Sequence, residues 1–540
     1  RMPSRLRIRH DFHRRLDAVF SLTNDQLAAR AEIGLMALAL LANFFLLPHR
    51  IGFDAGYRFT ALQQLLAGGG FSNTKYSLIG YLPAIPLLLL GRVIMSPAWW
   101  FARYNALLLA AALPAFYWLL RERLDDAIVR AFLLILLLAS MFPYHLMLAY
   151  SEVFTALCVG IGVLVAVPPT GAANSSGGRQ IALREFVGWG LIVVGVANTP
   201  ATLVGLLAVV VARCLQVRRW RYLLAIVAAL ALIGAEAWLR RGSPFASGYA
   251  NNGGDQTVMP FSGLPGFSYP FLFGLLSILF SFGKGLIFFM PGLLLPLGIA
   301  GLKSRRTTRA GGRLPPDAQK AVRSEGQSRR QGTSVPVRSA LRLFKTESGA
   351  PTAQAESGAS LPSIYTLWLV FVVGLVVGYA KWWAWYGGWF WGPRFFLFAC
   401  IPASLALALW LRRPPRSFWP KLAALLILAL SCWVGVNGVL FDQRTLQVCQ
   451  AHDYALEALC YYTPEYSVLW RPLVILYQVG WGRFFSIEPT STGQLAYAAF
   501  ALLVGCWLAV PTLTELGSQT WRWASAALPS WRTTIAAWRF

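Results

Sequence analysis

The chain has 540 residues, 56% of them hydrophobic, 14% aromatic and 13% charged, with a mean hydropathy of +0.53. This composition excludes an ordinary soluble domain. Apolar runs approaching the ~20 residues that cross a bilayer point instead to a polytopic membrane protein, all-α because helices satisfy their own backbone in lipid. The formal net charge of +26 does not indicate nucleic acid, because the basic residues cluster in the N-terminal arm, one long linker and short turns. That distribution is expected where Arg and Lys stay cytoplasmic and meet anionic headgroups.

In chain order, a basic arm over 1–32 is read as cytoplasmic. Thirteen apolar runs follow, at about 33–49, 78–96, 104–120, 128–148, 152–168, 186–198, 201–214, 222–239, 286–302, 363–380, 395–411, 421–440 and 494–512. No small-residue cleavage site follows the first run, so a cleaved signal peptide is not expected. Segment 303–345 carries twelve Lys and Arg against Asp317 and Glu325. With its Gly, Ser, Pro and Gln content it reads as a disordered cytoplasmic linker over 303–360.

Two cytoplasmic segments require an even number of crossings between them, yet nine runs lie there. The weakest is 78–96, "LIGYLPAIPLLLLGRVIMS", with Pro83 and Pro86 in its first turns. It is read as a juxtamembrane helix lying in or dipping into the outer interface. A competing reading lets it cross and merges 186–214 into one span, but Pro200 in "VANTPAT" argues for a break there. Either reading gives twelve crossings with both termini inside. The predicted organisation is a transmembrane module over 33–302 with a first external loop at 50–103, the linker, and a second transmembrane module over 361–512. That second module has an external loop at 441–493, and a basic, tryptophan-rich cytoplasmic tail follows over 513–540.

The polar residues at helix ends gather on the predicted outer face. In "RIGFDAGYRF" (50–59), Asp54 and Arg58 are four apart and share a face if the segment is helical. Phe59, Leu62, Leu65 and Leu66 continue at helical spacing, which suits a helix along the membrane surface. The spacing alone leaves open a solvated carboxylate beside a basic neighbour. Glu152 opens the run 152–168 at the same membrane level. Ser151 before it suits a helix cap, while two carboxylates at one end of a bundle also suit acid/base chemistry.

"NTKYSLIGY" supplies Lys75 and Tyr76, "FSFGKGLIFF" supplies Lys284 between glycines, and "WWAWYGGWFWGPRFFLF" supplies Arg394 after Gly392–Pro393. Snorkelling to headgroups accounts for an isolated lysine. Three cations, flanked by tight glycine turns, suit a shared anionic ligand better. The tryptophans read first as an interfacial belt and second as sugar-stacking surfaces. His452 and Asp453 form either an acid/base pair or part of a structured loop, and Glu236 either faces the cavity or pairs with Arg240. Cys449 and Cys460 share one polar loop and are disulfide candidates if that loop is extracytoplasmic. No metal-ligand spacing is present.

The ordered set of an acid after the first membrane run, "TKYSLIGYLPAIPLLLLG", "YSEVFTA", "FSFGKGLIFFMPG" and "GGWFWGPRFFLFACIP" resembles bacterial membrane glycosyltransferases of the GT-C superfamily. Relatives there include the protein mannosyltransferases and the lipid A aminoarabinose transferases. The resemblance covers about 33–412. It implies a multi-pass enzyme of the bacterial inner membrane that takes a sugar from a polyprenyl-phosphate donor and transfers it on the extracytoplasmic side to a glycan, lipid or protein acceptor.

It further implies that Asp54 is the catalytic acid of the first external loop, that Glu152 is a second or acceptor-orienting acid, and that Lys75, Tyr76, Lys284, Arg394 and Arg58 serve the donor phosphate. Direct displacement would invert the anomeric centre. Many relatives carry two adjacent acids where this chain has Asp54 then Ala55, so a divalent metal is not favoured and no cofactor is expected. Membrane lipids are partners; nucleic acid is not. The alternative is a transporter or flippase of a lipid-linked or anionic sugar, which a broken helix and basic membrane residues would also suit, though no internal repeat is visible. A scaffold subunit would not require Asp54 at all.

Overall fold

The apolar runs fold as helices, and the computed structural model forms no strand among its described residues. Those residues are 4–168, 178–296 and 360–537, apart from 247, 249–256, 265, 442–443, 452 and 488–489. The predicted linker and His452 therefore lie outside them. The first half comprises α1 (Ser4–Leu46), α2 (Asp54–Leu66), α3 (Ile85–Leu90), α4 (Pro97–Ala102), α5 (Tyr104–Arg121), α6 (Asp126–Leu138), α7 (Phe142–Leu146) and α8 (Ser151–Ala166). It continues with α9 (Gly178–Asn198), α10 (Leu203–Val217), α11 (Leu224–Arg241), α12 (Phe271–Phe280) and α13 (Leu286–Phe289). The second half comprises α14 (Ser360–Tyr379), α15 (Cys400–Arg412), α16 (Phe418–Leu440), α17 (Arg444–Gln450), α18 (Glu457–Tyr462), α19 (Arg471–Ile487) and α20 (Thr492–Ala537).

Among the described residues, eight helical segments are long and apolar enough to cross a membrane, and shorter apolar helices lie between them. The run at 78–96 folds as a 3-10 turn, Ile79–Ala84, leading directly into α3. Twelve residues of α-helix would rise roughly 18 Å, well short of a ~30 Å hydrocarbon core, in keeping with a juxtamembrane element. The break at Pro200 is present: α9 stops at Asn198, and a 3-10 turn over Pro200–Thr202 starts α10.

Two boundaries differ from the sequence reading. The basic arm is not separate from the first span but is the start of one helix, α1. The tail likewise continues α20 without a break at 512. The apolar "FLFGLLSILF", which lies outside the thirteen runs, also folds as a helix, α12. In the first two cases Ala, Leu and Arg are good helix formers on either side of the hydrophobic boundary, so polarity changes without ending the helix.

A large core runs through both halves, with Trp368, Phe371, Leu134 and Ile401 fully buried. A second, smaller core joins α2 to the juxtamembrane elements through Ala55, Leu62, Tyr81, Leu88, Phe101 and Tyr104. This platform seats Asp54 at one end of the bundle. At the other end Glu32 pairs with Arg130 (2.6 Å) and with Arg412, Arg413 pairs with Asp125, and Lys421 reaches Glu515 at 3.0 Å. The helical segment Arg394–Arg412 links the two ends with 19 residues, roughly 28 Å at the α-helical rise.

Helices approach closely at Gly435 of α16, where a Cβ would lie 2.1 Å from the Leu138 carbonyl oxygen. Backbone cannot yield as a side chain can, so Gly435→Ala is expected to destabilise the protein by roughly 1–3 kcal/mol, the usual cost of overpacking. A lower midpoint of thermal unfolding in detergent checks this; an unchanged midpoint counts against the packing.

Candidate active site

Asp54 is the first residue of α2. The residue before it, Phe53, has φ 46° and ψ −125°, a conformation that favours glycine and costs a bulky residue about 1–3 kcal/mol. Phe53 is held there by an edge-on contact with Phe390 at 5.5 Å. Arg394 donates through Nη1 to Asp54 Oδ2 at 2.9 Å, and its Nε lies 3.7 Å from Glu152 Oε1. One guanidinium thus bridges two carboxylates from different helices. It lies over the Phe390 ring at 3.7 Å, and its side chain is only 11% exposed.

Arg58, one turn after Asp54, is buried. It donates to the Ser77 carbonyl (3.1 Å) and to Ser151 Oγ (3.2 Å). Ser151 Oγ in turn lies 3.4 Å from Glu152 Oε2. The expected capping role of Ser151 is not seen: Tyr150 is the N-cap of α8, and no side chain caps it. The Ser151 hydroxyl is drawn to the Arg58–Glu152 pair instead.

Tyr76 hydrogen-bonds Asp54 and stacks on Tyr57 at 5.6 Å. Arg58 lies 5.0 Å and Lys75 5.4 Å from the Tyr76 ring centre. Burial pushes the Asp54 carboxyl up, but Arg394, Arg58 and the Tyr76 hydrogen bond outweigh it and hold the group below its ordinary value. Among the described residues no three His, Cys, Asp or Glu converge as a metal cluster.

Lys284 differs from the expectation that it grips phosphate. Its Nζ donates to the carbonyls of Gly388 (3.2 Å), Phe390 and Gly392 (3.0 Å). An ammonium has three N–H groups, so all are engaged, and Lys284 fixes the loop that leads to Arg394. The loop needs this support because Gly387, Gly388 and Gly392 all have positive φ and give it little stiffness of their own.

Most of the loop's aromatic residues are neither a belt nor an open stacking surface. Trp385 and Trp391 are buried, Trp391 donates to Asn437 Oδ1 at 2.8 Å, and Trp389 stacks on Tyr454 at 4.6 Å and donates to Glu457 at 2.8 Å. Glu457, which the sequence reading did not single out, is fully buried and accepts from Tyr461 at 3.1 Å. Cys449 and Cys460 are bonded to each other and close the segment that carries it. Glu236 does not face the site; it pairs with Arg240 at 2.8 Å.

Beside Arg394 and Glu152 lies a narrow crevice whose water-accessible space is only ≈ 10 Å³, room for about one water. Its lining includes the hydroxylated Thr155, Thr199 and Thr202 and the apolar Phe371, Leu375 and Phe395. The site therefore joins two carboxylates, two buried guanidiniums, a phenol and a narrow crevice at one end of an apolar bundle.

No family model matches the chain, and no curated protein matches it. Among solved structures, it is similar to ArnT from Cupriavidus metallidurans in the apo state, at 14% identity over 92% of this chain and 78% of that one, with a TM-score of 0.46. It is similar also to ArnT from the same organism bound to undecaprenyl phosphate, at 14% identity over 90% of this chain and 77% of that one, with a TM-score of 0.44.

Proposed function

We propose that the chain is a membrane glycosyltransferase of the GT-C type, which moves a sugar from a polyprenyl-phosphate donor onto an acceptor hydroxyl with Asp54 as general base. One observation carries the reading. Arg58 Nη1 is buried without a hydrogen-bond partner, and Arg394 Nε makes no hydrogen bond, only the long 3.7 Å ion-pair contact to Glu152; both guanidiniums flank the same carboxylate. A buried donor left unfilled costs about 1–3 kcal/mol, and an anionic ligand would fill the Arg58 donor. The motif order in the sequence supports the same assignment.

The acceptor oxygen attacks the anomeric carbon from the face opposite the phosphate. Its proton passes to Asp54, the bond from that carbon to the phosphate oxygen breaks, and the carrier leaves as its monophosphate. Phosphate is already a good leaving group, so cations that meet its growing charge replace a general acid. Arg58, Arg394 and Lys75 supply them. Glu152 restrains Arg394 and orients the acceptor.

A carboxylate held below its ordinary value is a weak base. Donor binding corrects this: a phosphate between the two arginines adds negative charge near Asp54 and so raises its pKa. The acidic limb of kcat, set by the substrate complex, is therefore expected at higher pH than that of kcat/KM, set by the free enzyme. Coincident limbs would count against Asp54 as the shared base. The activity itself is tested by transfer of radiolabelled sugar from a panel of defined polyprenyl-phosphate donors by the purified protein. Absence of transfer from every donor overturns the proposal.

A further inference from the structure

The guanidiniums at this end of the bundle differ in one respect. Arg58 Nη1 and Arg394 Nε make no hydrogen bond, the latter having only the 3.7 Å ion-pair contact to Glu152. Arg240, in the last turn of α11, keeps no N–H without a hydrogen bond. Its Nε donates to the Ser72 carbonyl at 2.9 Å; Nη1 donates to the Tyr76 carbonyl (2.7 Å) and Glu236 Oε1 (2.8 Å); Nη2 donates to the Thr74 carbonyl and Oγ1, both at 2.9 Å. Those five bonds match the five N–H groups of an arginine. The side chain is 1% exposed. No donor remains for a ligand, so the role of Arg240 lies in what it holds.

It holds an irregular segment with no helix or strand of its own over 72–78. The grip falls on alternate residues: the carbonyls of Ser72, Thr74 and Tyr76 face Arg240, and the Leu78 N–H donates to Glu236 Oε1 at 2.7 Å. Arg241 adds a second bond to the Thr74 carbonyl at 2.7 Å. On the other side, the intervening Ser77 carbonyl accepts from Arg58. The segment is thus a ribbon clamped between the Glu236–Arg240 pair behind it and Arg58 in front. It carries Tyr76, which bonds Asp54, and Lys75.

We infer that Glu236 and Arg240 are positioning residues, which hold the 72–78 ribbon so that Tyr76 and Arg58 meet Asp54 before the donor arrives. Residues this far from the chemistry matter because small misplacements of a catalytic group cost large factors in rate. The pair lies 158 to 168 positions along the chain from the ribbon, so its effect passes through the fold and not through local sequence. The inference rests on the proposed function for its catalytic meaning, but the clamp itself does not.

Two measurements separate these. Amide hydrogen exchange over 72–78 is compared in the full-length protein and in Arg240→Lys, which keeps the charge but loses the planar fork. Faster exchange confined to the ribbon is expected; unchanged exchange overturns the clamp whatever the enzyme does. Sugar transfer is then measured for wild type, Arg240→Lys, Tyr76→Phe and the double variant. Alone, Arg240→Lys is expected to lower kcat/KM for the donor about tenfold, and in the Tyr76→Phe background less than about threefold, because the two share one route. An equal loss in both backgrounds shows that Arg240 acts elsewhere and overturns the positioning role. A wild type that transfers nothing fails the proposed function, while the exchange result still decides the clamp.

Discussion

Asp54→Asn is expected to lower kcat for sugar transfer by about 10²–10⁴-fold, the range associated with loss of a positioned general base. The substitution keeps an oxygen that accepts from Arg394 and nearly the same volume, so the platform beneath α2 should survive. Folding is checked by thermal unfolding in the same detergent. Donor affinity should hold or tighten, because removing one negative charge from between Arg394 and Arg58 leaves more positive field for the phosphate. This combination of lost turnover with retained donor binding distinguishes a base from a scaffold charge. Unimpaired turnover would exclude Asp54 from proton transfer.

Arg394→Met is expected to be the most damaging single change, because it acts on both stability and chemistry. It leaves Asp54 and Glu152 facing each other in a mostly buried setting, and removing one partner of a buried ion pair costs about 3–5 kcal/mol. It also removes one of the cations proposed to meet the leaving phosphate, a class of contact whose loss costs roughly 10²–10³ in kcat. Arg394→Lys separates the two effects. An ammonium keeps the charge but lacks the planar fork that reaches both carboxylates. Stability should recover in large part while turnover stays depressed. If the Lys variant regains wild-type kcat, the fork geometry is irrelevant and the bridge is only a charge balance.

The helical architecture was legible because it rests on long apolar runs, and even the break at Pro200 follows from one missing N–H. The identity of the clustered residues was legible too: Asp54, Glu152, Arg58 and Arg394 stand near helix ends, and Tyr76 in the loop beside them, on the face that the basic loops assign, and the structure brings them together. What each cation bonds to was not legible. Lys284 and Arg394 look alike in sequence, each within two residues of a glycine and at the start of a helical segment. The difference arises from where the carbonyls of Gly388, Phe390 and Gly392 turn, which depends on three positive-φ glycines and on packing from distant segments. The Arg240 clamp escaped for a similar reason. Its partner Glu236 was visible at i−4, but the ribbon it grips is irregular and remote in sequence. Glu457 was hidden in a polar loop whose burial depends on Trp389 and the Cys449–Cys460 bond.

The Asp54–Arg394 pair joins positions 340 residues apart. Asp54 and Glu152 precede the long stretch 297–359, and Arg394 follows it. At the opposite end of the bundle, Glu32–Arg412 and Asp125–Arg413 cross the same division. A polypeptide severed in that stretch would therefore separate Asp54 and Glu152 from Arg394, leaving each fragment with part of the proposed site and a matching set of uncompensated charges. Apart, both should be inert and poorly tolerated in the membrane. Produced together, they should find each other through those charges and restore activity, so this protein is a candidate for assembly by complementation.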